Sequence, residues 1–86
     1  MNRRETLQAA ENAVLRDREA DHGRPEDTFA TIAAMWSAML GQNISPANVA
    51  MMLAALKIAR ATSNPAHEDN YVDLAGYAAC AAELAT

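Results

Sequence analysis

Six side chains that could bind a ligand or metal fall within seventeen residues of the C-terminal half of this chain: Lys57, Arg60, His67, Asp69, Asn70 and Asp73. Lys57 and Arg60 are three apart, so on a helix they share a face. Asp69 and Asp73 are four apart, Asn70 and Asp73 three apart, and each pair can likewise share a face. Two oxygen donors one turn apart suit a hard cation such as Mg²⁺, with waters and substrate phosphates completing its shell. The bland reading of Asp69 is a first-turn acid complementing the helix dipole. Asp73 is set in an uncharged run, "LAGYAACAA", where a lone carboxylate needs a partner. That partner is either Lys57 or Arg60 in a structural ion pair, or a ligand. Lys57 and Arg60 could cap a helix C-terminus or grip phosphate, for which a guanidinium is geometrically suited. His67, just after Asn64-Pro65-Ala66, reads more readily as a capping or hydrogen-bonding residue than as a base. The candidate site is therefore Lys57, Arg60, His67 and Asn70 for a phosphate-bearing ligand, with Asp69 and Asp73 for Mg²⁺.

The elements that would hold these groups follow from periodicity and punctuation. A first helix is expected from about Arg4 to Ala20, with Leu7, Ala10, Val14 and Leu15 on one face. "DHGRPED" breaks it: Asp21, His22 and Gly23 form a polar turn, and Pro25 opens a second helix with Glu26 and Asp27 at its positive end. That helix carries Phe29, Ile32, Ala33, Met35, Trp36, Met39 and Leu40 and stops at Gly41. Ser45-Pro46 is an N-cap followed by a first-turn proline. The third helix runs to about Ala61 with Val49, Met52, Leu53, Leu56 and Ile58 as apolar members. After "TSNP" a fourth helix extends from Ala66 or Glu68 to Ala85. Gly76 inside it costs about 1 kcal/mol relative to alanine, so close helix packing is expected there. No strand-like alternation occurs, and the fold class is all-α: a four-helix bundle forming one domain over residues 1–86, with 1–3 able to fray.

Bulk composition narrows the function classes. With 86 residues and a net charge of −4, the chain lacks the basic stripe that duplex nucleic acid requires. Four of the seven basic residues lie near the N-terminus, interleaved with acids. The single cysteine, Cys80, excludes an internal disulfide and fits a reducing cytoplasm. No apolar leader opens the sequence, and "GQNISPAN" interrupts the longest uncharged span before it reaches membrane-spanning length. Gly-rich phosphate loops, zinc-ligand spacing and a nucleophile elbow are all absent. A domain this short buries only about 60 to 65% of its unfolded surface. From Thr28 to Leu56 no charged residue occurs, so the outer faces of two helices would be uncharged. Small size and missing charge together predict a homo-oligomer.

The stretches "DHGRPEDTFATIAAMWSAMLG" and "SPANVAMMLAALKIARATSNPAHEDNYVDLAGYAA" resemble a family of small phage and prophage proteins of unknown function, over about Asp21 to Leu84. The resemblance implies a phage origin and the cytoplasm of a bacterial host, and brings no established activity. A more distant similarity runs to the MazG-like all-α nucleotide pyrophosphohydrolases. Those oligomeric enzymes hold Mg²⁺ through paired Glu-x-x-Glu and Glu-x-x-Asp patterns. Asn70-Tyr71-Val72-Asp73 can be laid on the second pattern, with Asn70 in place of its glutamate. The first is missing, because Pro46 to Ala61 contains no acid. The similarity thus implies a MazG-like bundle that binds a nucleotide or other phosphate-containing ligand at the turn between the third and fourth helices, without the full catalytic set. An Mg²⁺-dependent nucleoside triphosphate pyrophosphohydrolase and a helical oligomer binding a host protein stand as alternatives.

Overall fold

Three of the four helices begin at a local signal: a side-chain cap for two and a first-turn proline for a third. The computed structural model describes residues 1–17 and 23–86. Helix α1, Arg3–Asn12, starts from Asn2, whose side chain accepts from the Glu5 amide at 2.8 Å while the Glu5 carboxylate accepts from the Asn2 amide at 3.0 Å. This reciprocal pair satisfies two otherwise orphan donors. Helix α2, Pro25–Leu40, has proline in its first turn and ends at Gly41, which adopts a left-handed conformation with φ of 66°. Helix α3, Pro46–Ser63, begins as expected: the Ser45 hydroxyl accepts from the Asn48 amide at 3.1 Å. Helix α4 spans Glu68–Leu84. Among the described residues there is no strand, and the domain is all-helical with four helices.

The first helix departs from its expected course. Regular α-helical structure ends at Asn12, and Ala13–Asp17 forms a π-helical turn. Such a turn widens the helix by one residue and re-aims the side chains beyond it. It lies where Val14 meets Gly76: a Cβ built on Gly76 would stand 3.0 Å from Val14 Cγ1. The close packing expected at Gly76 is therefore present, against the π turn. The continuation through Ala20 and the turn at Asp21 and His22 lie outside the described residues.

Helices α3 and α4 make the most extensive contact, α1 packs on α4, and α2 packs mainly on α3. The core is small: Phe29 and Ala33 from α2, Val49 and Ala50 from α3, and Ala81 from α4. Trp36, Leu53, Tyr77 and Cys80 pack around it, half-buried. Phe29 and Tyr77 meet edge to face with ring centroids 6.1 Å apart. Alanine at three of the five core positions lets the helices approach but removes little apolar area from water. Much of the expected apolar set lies outside the core. Leu7, Leu15, Met35, Met39, Leu40, Met52, Leu56 and Ile58 are all exposed, and so is Met51, which is not in that set. Among the described residues no helix is long and apolar enough to cross a membrane.

Candidate functional site

The turn between α3 and α4 is short because its backbone is tied at both ends. The Asn64 amide donates to the Arg60 carbonyl at 2.9 Å and closes α3, and the His67 amide donates to the Asn64 carbonyl at 3.1 Å. The Tyr71 hydroxyl reaches back from α4 and donates to the Pro65 carbonyl at 2.8 Å. This last bond fixes the entry of α4 relative to the end of α3. An open depression of about 500 Å³ results, lined by Lys57, Arg60, Ser63, His67, Asp69 and Asp73, with Asn70 also in its wall. All six residues singled out from their spacing are thus brought to one place.

Their states differ. Lys57 Nζ lies 2.9 Å from Asp73 Oδ2, with the lysine side chain 13% and the aspartate 39% exposed. Of the two bases offered to Asp73 by the sequence, Lys57 is the one that pairs with it. Arg60 is exposed and makes no ion pair among the described residues, which leaves its guanidinium available from the depression. His67 occupies the N-cap position of α4, as the capping reading required, yet its side chain makes no capping hydrogen bond. Asp69 lies in the first turn of α4 and is exposed. Asn70 is the unusual member: it is 4% exposed, and its carboxamide makes no hydrogen bond among the described residues. A buried amide without a partner forfeits about 1 to 3 kcal/mol. Spacing alone gave no sign of this, because burial of a polar residue one turn into a helix depends on what packs beside it.

The donor set for a divalent cation is thin. Asp69 and Asp73 are the carboxylates of the depression, and Asp73 is committed to an ammonium that a cation would have to displace. Among the described residues no three His, Cys, Asp or Glu side chains gather closely enough to hold a metal ion. These residues do not fit the multi-carboxylate cluster that in-line attack on a phosphoryl group requires. With two acids against Lys57 and Arg60, the depression carries no net charge when His67 is neutral, and Arg60 is its one cation outside an ion pair among the described residues.

Residues 5–85 match the family described as Domain of unknown function (DUF6378). The chain belongs to this family. Its matched relatives include the Gene 55 protein of Mycobacterium phage D29, 35% identical over 74 residues. Those residues are 86% of this chain and 49% of that relative. The Gene 55 protein of Mycobacterium phage L5 is 40% identical over 73 residues, 84% of this chain and 47% of that protein. The chain therefore spans about half the length of these phage relatives. No solved structure matches it. The comparisons support a small phage protein family of unknown function and carry no activity with them.

Proposed function

We propose that this domain is a binding module for a phosphate-containing ligand, a nucleotide in the first instance, held in the depression between the end of α3 and the start of α4. The observation that carries the reading is the Asn70 carboxamide, 4% exposed and without a hydrogen-bond partner among the described residues, in the wall of a depression that also presents Arg60. A carboxamide offers both donors and an acceptor, so it can read a nucleobase edge, a sugar hydroxyl or a phosphate oxygen. The Arg60 guanidinium supplies a planar fork for phosphate. Lys57, neutralised by Asp73, adds polarity to the wall and little net charge, and the exposed His67 imidazole is a further donor at the mouth.

Binding without turnover is favoured over hydrolysis. In a MazG-like bundle, Asp73 would have to serve Mg²⁺, and the Lys57 ammonium at 2.9 Å weighs against that role. Asp69 alone would leave the cation with one carboxylate. Use of the same surface by a host protein is the remaining alternative.

The test is equilibrium titration of the purified protein with nucleoside mono-, di- and triphosphates, cyclic nucleotides and inorganic phosphate, with and without Mg²⁺. Saturable binding weakened at least tenfold by Arg60→Ala and by Asn70→Leu is expected, with no dependence on the cation. Absence of binding across the panel would overturn the reading. Pyrophosphate release from a triphosphate, abolished by Asp73→Asn, would establish the hydrolase in its place.

A further inference from the structure

Helix α3 is apolar on both sides. Its inward side buries Val49, Ala50 and Ala54. Its outward side presents Asn48, Met51, Met52, Ala55, Ile58, Ala59 and Thr62, every one of them exposed. These positions recur at three- and four-residue intervals over two full heptads and describe a single continuous stripe. No charge interrupts it, although it faces away from the rest of the domain. A continuous apolar stripe on the outward side of a helix is ordinarily covered by a partner surface.

We infer that this stripe is a two-fold interface on which α3 packs antiparallel against α3 of a second copy, with the axis passing at Ala55. The occupant follows from the pattern, which is self-complementary about that residue. An antiparallel pairing centred there sets Ala55 against Ala55 of the partner subunit. Met51 then meets Ile58 of the partner subunit on one flank of the seam, apolar on apolar. Met52 meets Ala59 of the partner subunit on the other flank, where a long flexible side chain fills the space left by a short one. Asn48 meets Thr62 of the partner subunit, polar on polar at the ends of the seam. An isologous interface demands that a surface match itself under rotation, and this one does so at each position. The absence of charge has the same reading, since any charge placed near a two-fold axis confronts its own copy.

The area agrees. A monomer of 9.2 kDa exposes 5819 Å² here, whereas the size scaling of folded monomers gives about 4,900 Å². The excess of roughly 900 Å² is summed over the whole surface, of which the α3 stripe is one part, and it is enough to include the ~800 Å² that one protomer contributes to a standard interface. The radius of gyration, 13.3 Å, likewise exceeds the ~12 Å of a compact chain of this length. The exposed methionines suit such a seam because their side chains adapt to the facing surface.

Light scattering at micromolar concentration is expected to give twice the 9.2 kDa mass of one chain. Ala55→Glu sets two carboxylates against each other at the axis and is expected to return the mass to that of one chain, with helical circular dichroism unchanged. A second measurement leaves the native surface in place. In a Cys80→Ala background, Ala55→Cys treated with a short bismaleimide should cross-link into a covalent dimer in high yield, and Ala78→Cys on the exposed face of α4 should not. A single-chain mass throughout the concentration range overturns the inference and leaves a different protein as the stripe's occupant. A trimer or tetramer also overturns it, as does cross-linking of the Ala78→Cys variant without cross-linking of the Ala55→Cys variant.

Discussion

Lys57 and Asp73 form a pair whose two halves are unequally buried, and that inequality makes their substitutions diverge. The lysine side chain is 13% exposed, while the aspartate keeps 39% of its surface in water. Asp73→Ala strands an ammonium in a largely dry position and is expected to cost about 1 to 2 kcal/mol, discounted from the figure for fully buried pairs because solvent reaches the carboxylate. Lys57→Met removes the charge but keeps the stem, and leaves only a part-solvated carboxylate, so it should change stability by less than about 0.5 kcal/mol. Urea unfolding of both variants checks the asymmetry; equal losses would mean that the pair contributes by direct attraction. Asn70 offers the opposite signature. Asn70→Leu keeps the branched shape and removes a buried amide that has no partner within the described residues, so stability should hold or rise by up to about 1 kcal/mol. Ligand affinity should fall in the same variant. A loss of both together would make Asn70 a structural residue.

At the scale of elements, the contact between the π turn and α4 is set by one missing methyl group. Replacing a mid-helix glycine by alanine ordinarily gains about 1 kcal/mol of helix propensity. At Gly76 the added Cβ would stand 3.0 Å from Val14 Cγ1, so the gain is expected to vanish or reverse. The double variant Gly76→Ala with Val14→Ala should recover part of it, and the double-mutant cycle measures the coupling directly. Additive effects would show that α1 and α4 adjust without resistance. At the start of α2, the Glu26 carboxyl is held below its ordinary value of 4.5 by a backbone hydrogen bond first and by the Arg24 guanidinium second. Arg24 Nε stands 3.3 Å from it. A depressed carboxylate stabilises the fold above its unfolded pKa, and that contribution is lost as pH falls through the folded value. Unfolding from about pH 6 down to about pH 3 should therefore show a small acid-side loss that Glu26→Gln lacks.

The whole molecule exposes more surface than the size scaling gives for a chain of its mass, and large apolar side chains such as Met51, Met52 and Ile58 are part of it. If α3 is sealed by a second copy, folding and association are linked, and the melting temperature must depend on protein concentration. Thermal unfolding over a hundredfold range of concentration is expected to raise the wild-type midpoint by several degrees and to leave that of Ala55→Glu flat. A wild-type midpoint independent of concentration would separate stability from assembly. The seam and the depression also share a residue: Ala59 lies on the outward stripe and in the wall of the depression. Assembly through α3, as proposed, would therefore bring a second copy to the rim of the candidate site.

Local signals determined the elements. Ser45-Pro46, Gly41 and the run from Glu68 mark helix ends with short-range chemistry, and the structure places those ends within two residues of where the sequence does. The grouping of Lys57, Arg60, His67, Asp69, Asn70 and Asp73 was legible for the same reason, since a short turn between two helices leaves little freedom over what meets across it. Other features belong to tertiary structure alone. The π turn at Ala13–Asp17 arises where α1 meets α4, and no residue within it signals a break. That Asp73 takes Lys57 in preference to Arg60 depends on how α3 is rotated against its neighbour. The exposure of Met51, Met52 and Ile58 is decided in the same way. Periodicity shows that a helix has apolar residues on several sides. Only packing decides which side is covered, because burial is a property of what stands opposite a side chain and not of the side chain itself.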